Sequence, residues 1–478
     1  MSNPTSPEPV SRLLAETLTT TIYAALPASV IIDAKRAVLD WLGSALAGAL
    51  EPPARMAQTV VARLGQADDA TVFGAGRSSA AGAALANGVA SHILELDDVH
   101  KGSTLHGAAP IIPAALAVAE RERASGTAFL LAVVLGYEAA LRIGEAVNPS
   151  HYRYWHPTGT AATFGAAVAA GSLLHLTPAQ MLDTLGSAGT QAAGLWEFNA
   201  DGAMSKALHP GKAAFNGVLA ADLAKQGFTG ATCILEGERG FFRAMSSAYD
   251  ATRITDGLGE RWKISENCYK LYACCGHTHT AIDTALDLRT ELGWQGEEAL
   301  AQIQALTIET YGPGYEIVKE MNPRTPYQAK FSLAYVTAAA LLEGWVGLEQ
   351  FTPARFGPNG VVEPTLAALL PRIQVTVNDA LSARYPAAWP AQLTLTLVDG
   401  TVLQGGSDYP RGNPENPVAT TALEEKFCAL VAPRYDAVLA EQSLMLVQGV
   451  EGVTDMATAV RRLLRPIPKI NDRPSVGA

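Results

Sequence analysis

The stretch "ELDDVHKGSTLHGAAP", Glu95 to Pro110, sets three carboxylates, one lysine and the imidazoles of His100 and His106 between two apolar, alanine-rich runs. Such a mixture serves either a solvated loop or one wall of a reaction site. Imidazole is the side chain whose ordinary pKa lets it take or give a proton near neutral pH. Several histidines also share one kind of position. "TLHGAAPIIPAALAVAE" puts His106 just before an apolar helix, and "YWHPTGTAATFGAAVAAG" does so with His156 and Pro157. "ALHPGKAAFNGVLAADLAK" repeats the arrangement with His209 and Pro210, and "ACCGHTHTAIDTALDL" with His277 and His279. Proline is favoured in a first helical turn.

A helix start carries unpaired N–H groups and the positive end of the helix dipole. It attracts carboxylates and keeps a nearby imidazole neutral, available as a base. Lys206 and Lys212 flank His209, and Arg153 precedes His156, so positive charge gathers at the same starts. If these ends converge, they form a pocket for a small polycarboxylate. A histidine before a helix serves equally as a plain hydrogen-bond partner of the helix end, and that reading stays open for each position.

Metal chemistry finds less support. "HILELDDVH" offers His92, Glu95, Asp98 and His100, but these offsets share a helix face only loosely. His92 reads better as a partly buried helix residue. The adjacent pair Cys274–Cys275 lacks the C-x2-C spacing of zinc or iron–sulfur sites and reads as buried small side chains. No Walker motif, strand–helix G-x-G-x-x-G or G-x-S-x-G elbow occurs. Phosphoryl transfer, hydride transfer and serine hydrolysis therefore lose ground, and neither metal nor cofactor is expected.

The elements that must position these residues come in two kinds. Over about 29–230, alanine- and glycine-rich segments of helical periodicity suit a tightly packed helical domain. Near 300 the pattern changes. "IQALTIETY", "RIQVTVND" and "QLTLTLVDGTVLQGG" alternate apolar and polar residues, and Asp399-Gly400 signals a hairpin. The expected organisation is a helical domain over 1–270, an α+β unit over 271–410, and helices over 411–478 that return to the first domain. The chain is thus mainly α. Its 478 residues and 48% apolar content supply ample core, and a net charge of −11 argues against nucleic-acid binding. An odd, sparse count of five cysteines and an N-terminus without an apolar run fit a cytoplasmic protein. "TAFLLAVVLGY", Thr127 to Tyr137, falls short of the roughly 20 residues of a membrane span, so it reads as a buried helix.

Taken together, "HILELDDVHKGSTLHGAAP", "WHPTGTAATFGAA", "DGAMSKALHPGKAAFNGVLAA", "LYACCGHTHTAID" and "NPRTPYQAKFSLAY" resemble the MmgE/PrpD family, in family order. The resemblance implies a large all-helical domain, a smaller α+β lid, a homodimer and cofactor-free chemistry between the domains. Family activities include 2-methylcitrate dehydratase, cis-aconitate decarboxylase and iminodisuccinate epimerase. A 2-methylcitrate dehydratase-like hydro-lyase is the first expectation. A decarboxylase, an epimerase and a carboxylate-binding relative without turnover are the alternatives, and the "YACCG" wording looks more like the decarboxylase and general MmgE branches. Carried over, the family's site falls on His106, His156, Lys206 and His279, with Asp97 and Asp98 matching its aspartate pair. His106 and His156 would then be the acid/base pair, Lys206 the clamp on the reacting carboxylate, and Asp97 an orienting charge. Asp98, Thr104, His209, Lys212 and His277 are expected around the polycarboxylate.

Overall fold

Gly88 and Gly211 mark the crossing of two helices, Ala80–His92 and Ser205–Lys225. A methyl group on Gly88 would come within 2.7 Å of the Gly211 Cα, so only bare backbones can meet this closely. The crossing brings His92, at the end of the first helix, beside the opening turns of the second, which carry Lys206 and His209. Helix Ala108–Arg121 packs on both, Ala161–Leu173 packs on the second, and Gly126–Val147 packs in turn on these two.

The computed structural model describes residues 9–65, 67–295 and 298–463. The ends of the first and last expected domains, 1–8 and 464–478, lie outside the described residues. The described chain is mainly α with small sheets.

Thr127–Tyr137 lies in a buried helix as expected, but that helix, Gly126–Val147, is longer than the sequence suggested. The helix runs for 22 residues, long and apolar enough to cross a membrane by length and composition. Of its most apolar window, 83% is buried inside the protein. It continues past Tyr137 because Glu138 and Arg142 pair one turn apart at 2.5 Å, both fully buried. Arg142 also donates to the carbonyls of Arg253, Ile254, Asp256 and Arg261. Charges that look costly in the sequence thus cancel within one helix.

Beyond these helices lies a four-stranded sheet in the order Val402–Ser407, Ala391–Leu397, Ile303–Thr310, Ile373–Val377. Ile303–Thr310 pairs parallel with Ile373–Val377 and antiparallel with Ala391–Leu397. The expected hairpin forms at Asp399-Gly400, with Gly400 at φ +89°. Helix His279–Glu291 packs on the hairpin, and helix Leu333–Glu343 packs beside it. Helix Thr420–Val431 returns to Ala28–Gly48, where Phe427 covers Gly43.

A two-stranded pairing ties distant segments together. Val99–His100 pairs with Asn267–Cys268, placing "ELDDVH" against the chain that leads into "YACCGHTH". This pairing and the glycine crossing are what assemble the site.

Candidate active site

Three imidazoles meet at the end of the Ala80–His92 helix. The ring of His92 lies 4.8 Å from His106 and 5.7 Å from His156, and His106 lies 5.9 Å from His156, centre to centre. Each is buried, and each has its Nδ1 committed. His92 Nδ1 is 2.7 Å from Asp97 Oδ2, His106 Nδ1 is 2.6 Å from the Asp98 backbone oxygen, and His156 Nδ1 is 3.0 Å from His209 Nδ1. The Nε2 atoms of His92 and His156 have no hydrogen-bond partner.

The two aspartates do different work. Asp98 Oδ2 accepts from Tyr137 Oη at 2.5 Å and Asn267 Nδ2 at 2.7 Å, and Oδ1 accepts from the Ala108 N–H at 3.0 Å. Burial outweighs these bonds and pushes its carboxyl up to about 7. The Asp98 side chain therefore pins the start of the Ala108–Arg121 helix, while its backbone aims His106. Asp97 instead serves the imidazoles directly, at 2.7 Å from His92 and 3.5 Å from His106 Nδ1.

Positive charge stands close by. Lys206 Nζ lies 2.5 and 2.6 Å from the two oxygens of Glu95, and Lys270 Nζ lies 3.5 Å from the same carboxylate. Glu95 sits at φ +58°, a left-handed turn that folds its carboxylate back onto the lysines. Burial alone would raise this carboxyl, but Lys206 and Lys270 outweigh it and hold it far below the usual range. Lys330 is anchored separately on the carbonyls of Leu94 and Ala273. One carboxylate shared by two ammonium groups leaves positive charge on the lysine side of the histidines, with Asp97 the opposing charge on the other. Burial first, then Lys206, Lys270 and neighbouring imidazoles, push His106 and His156 well below their ordinary pKa. Burial and the charges of His92, Lys212 and Lys206 bring His209 down to about 3. These imidazoles are neutral at physiological pH.

One ring nitrogen each from His92, His106 and His156 lies within 4.8 Å of the other two, a spacing that by itself would suit a metal. The lysine field opposes a dication there and favours an anion. A second grouping, His100 with Glu145 and Glu266, is filled by Lys263, whose Nζ reaches both carboxylates within 3.1 Å.

The pair in "CCGHTH" divides. His277 lies 2.5 Å from Tyr311 Oη and 3.2 Å from Tyr152 Oη, and Tyr152 continues through Trp196 to His156. Lys270 and Lys206, after burial, hold His277 down to about 3. His279 turns away: its Nε2 is 3.4 Å from the Cys274 carbonyl and its ring packs on Tyr272. Tyr272 lines a separate cleft of about 1020 Å³ with Arg289, Trp345 and Lys426. The geometry therefore brings His277, rather than the expected His279, toward the imidazole cluster.

Other expected residues are spoken for. Lys212 Nζ donates to the carbonyls of Gln191 and Ala193, fastening that loop. Thr104, at φ +49°, accepts from Asn148 Nδ2 at 2.9 Å within a tight turn. Helix Ser205–Lys225 begins before His209, so His209 stands in its second turn and Lys206 in its first, where the sequence placed both ahead of the helix. Pro210 misled that reading. It lies inside the helix, where it removes a hydrogen bond.

Sequence reasoning set aside His92 as a helix residue and passed over Glu95 as a partner of Lys206, as well as Lys270, Tyr152 and Tyr311. His92 carried a readable signal, standing five positions before Asp97 in "HILELD". The pairing of Glu95 with Lys206 and the parts of Lys270, Tyr152 and Tyr311 arise from contacts between distant segments and carried none.

Residues 12–254 match the MmgE/PrpD N-terminal domain and residues 272–451 the MmgE/PrpD C-terminal domain. The chain belongs to the MmgE/PrpD family. It is similar to the cis-aconitate decarboxylase of Aspergillus terreus, 27% identical over 463 residues, covering 92% of this chain and 93% of that one. The cis-aconitate decarboxylase of Homo sapiens is 27% identical over 451 residues, covering 92% and 91%. A cis-aconitate decarboxylase-like protein of Aspergillus oryzae is 29% identical over 357 residues, covering 70% and 74%.

Proposed function

We propose that this MmgE/PrpD-family lyase is a carboxy-lyase acting on cis-aconitate or a closely similar tricarboxylate. The observation that carries the reading is the cluster of neutral imidazoles, His106 and His156, held in the positive field of Lys206 and Lys270. A polycarboxylate needs such a field to enter a chain of net charge −11. The similarity to cis-aconitate decarboxylases along nearly the whole chain supports the same substrate class.

The chemistry follows from the substrate. Cleaving the bond between the CH2 carbon and its carboxylate releases CO2 and leaves an electron pair. That pair spreads over three carbons and onto the remaining carboxylates. The double bond shifts toward the former CH2 carbon, and the former vinyl carbon, which bears a carboxylate, takes a proton. The site must stabilise the spread charge and supply that proton. Lys206 and Lys270 face the first task, and one imidazole of the His92, His106 and His156 cluster the second.

A 2-methylcitrate hydro-lyase would use the same acid/base groups, but the decarboxylase relatives favour CO2 loss over water loss. Incubating the enzyme with C4 to C7 polycarboxylates in D2O, followed by NMR, tests the choice. The reading requires CO2 and a deuterated 2-methylene dicarboxylate from cis-aconitate. Dehydration of 2-methylcitrate with cis-aconitate untouched would replace it.

A further inference from the structure

We propose that His92, paired with Asp97, is the proton donor of this site; the inference rests on the carboxy-lyase reading. Three observations separate His92 from its neighbours. First, it holds the carboxylate of Asp97 most tightly of the three clustered imidazoles, with Oδ2 at 2.7 Å against 3.5 Å for His106. His106 Nδ1 bonds a neutral carbonyl and His156 Nδ1 another imidazole. Second, His92 is the last residue of the Ala80–His92 helix, whose negative end favours an imidazolium. His106 faces the opposite end, just before the helix that begins at Ala108. Third, Asp97 is wholly buried, and its Oδ1 lacks a hydrogen-bond partner. A buried carboxylate so thinly solvated needs a cation beside it.

The field of Lys206 and Lys270 works against positive charge across the cluster, and Asp97 offsets it at one imidazole. The arrangement follows the logic of a carboxylate that fixes an imidazole's tautomer and steadies its protonated form. His92 Nε2, unpartnered and buried, carries the mobile proton. When CO2 leaves, the Nε2–H bond breaks and the proton bonds the carbon that holds the electron pair. Neutral His92 is left, and water reprotonates it after product release. His106 and His156 stay neutral throughout and hold substrate.

The test measures CO2 and protonated product separately, using the full-length enzyme and cis-aconitate. His92→Gln should lower kcat by about 10²–10⁴-fold while KM changes by less than about threefold. Asp97→Asn, nearly isosteric, should lower kcat in the same direction and abolish a downfield Nδ1–H proton resonance that His92→Gln also removes. It provides the readout if His92→Gln fails to fold. A His92→Gln kcat within about fivefold of wild type overturns the proposal. So does one zinc or iron per chain that copurifies with wild type and disappears in His92→Gln, which would make His92 a ligand. Failure of wild type to release CO2 from cis-aconitate counts against the substrate reading alone. The same variants are then read by deuterium exchange at the α carbons of C4 to C6 dicarboxylates. Exchange unchanged by His92→Gln, or absent from wild type, overturns the donor role.

Discussion

Lys206 Nζ sits between the two carboxylate oxygens of Glu95, at 2.5 and 2.6 Å, in a fully buried pair. Lys206 is therefore both a structural cation and the expected clamp, and a simple truncation mixes the two roles. Lys206→Met strands a buried carboxylate beside Lys270 and should cost about 3–5 kcal/mol of stability in chemical denaturation. Adding Glu95→Gln removes the stranded charge. The double variant should regain most of that stability yet stay inactive. Recovery of activity along with stability would remove Lys206 from the chemistry.

His277 and His279 should separate in the same way. His277→Asn breaks contact with Tyr311 and Tyr152 and removes the imidazole that Tyr152 and Trp196 link to His156. It should lower kcat/KM by about 10²-fold or more. His279→Asn should act chiefly on stability, through lost packing on Tyr272. The reverse order of effects would restore His279 to the site.

Much of this was legible in the sequence. The helical and α+β segments, the Asp399-Gly400 hairpin and the histidines of the "HGAAP", "WHPTG" and "LHPGK" segments could be read from periodicity and placement. What stayed hidden has a common cause. Glu95, Lys270, Tyr152 and Tyr311 become partners only when the Val99–His100 and Asn267–Cys268 strands pair and glycine-bearing helices cross. Local patterns show which residues can do chemistry; they do not show which charge will neutralise which. The misplacement of His209 was of another kind, since an internal Pro210 looks the same in sequence as a proline that opens a helix.

Acid should destabilise the fold. Burial brings His151 down to about 4, and burial together with nearby positive charge brings His209 and His277 to about 3. Their unfolded value is near 6.5. Between those limits the unfolded chain binds protons that the folded chain does not, so stability falls as pH falls, by up to about 1.4 kcal/mol per pH unit for each. Asp98, raised to about 7, acts oppositely: its contribution is full below the unfolded carboxyl value and is lost as pH rises toward 7. His106, His156 and His279 are lowered as well, so one strongly raised carboxyl stands against six lowered imidazoles and the acid side is the weaker. Thermal melts should show Tm falling from pH 6.5 to 4.5, with a shallower fall for His151→Gln. A Tm that holds or rises over that range contradicts this balance.

We also propose a homodimer. Tyr154 and Leu195 are 59% and 57% exposed on adjoining segments linked by a Trp155–Leu195 bridge. Met204 and Leu208, 56% and 49% exposed, lie at the start of the neighbouring Ser205–Lys225 helix. Large exposed apolar side chains on neighbouring segments suit a partner surface. Light scattering at micromolar concentration should give twice the mass of one chain, and Leu195→Glu with Leu208→Glu should halve it. A stable wild-type monomer would refute the dimer.

The most direct measurement follows one carbon. cis-Aconitate labelled with ¹³C in the carboxylate on its CH2 carbon is incubated with enzyme in D2O. The account predicts labelled CO2 in a one-to-one ratio with a 2-methylene dicarboxylate that carries a single deuterium on the carbon α to its surviving carboxylate. Retention of the label in a hydrated or unchanged tricarboxylate, with no CO2 formed, would contradict it.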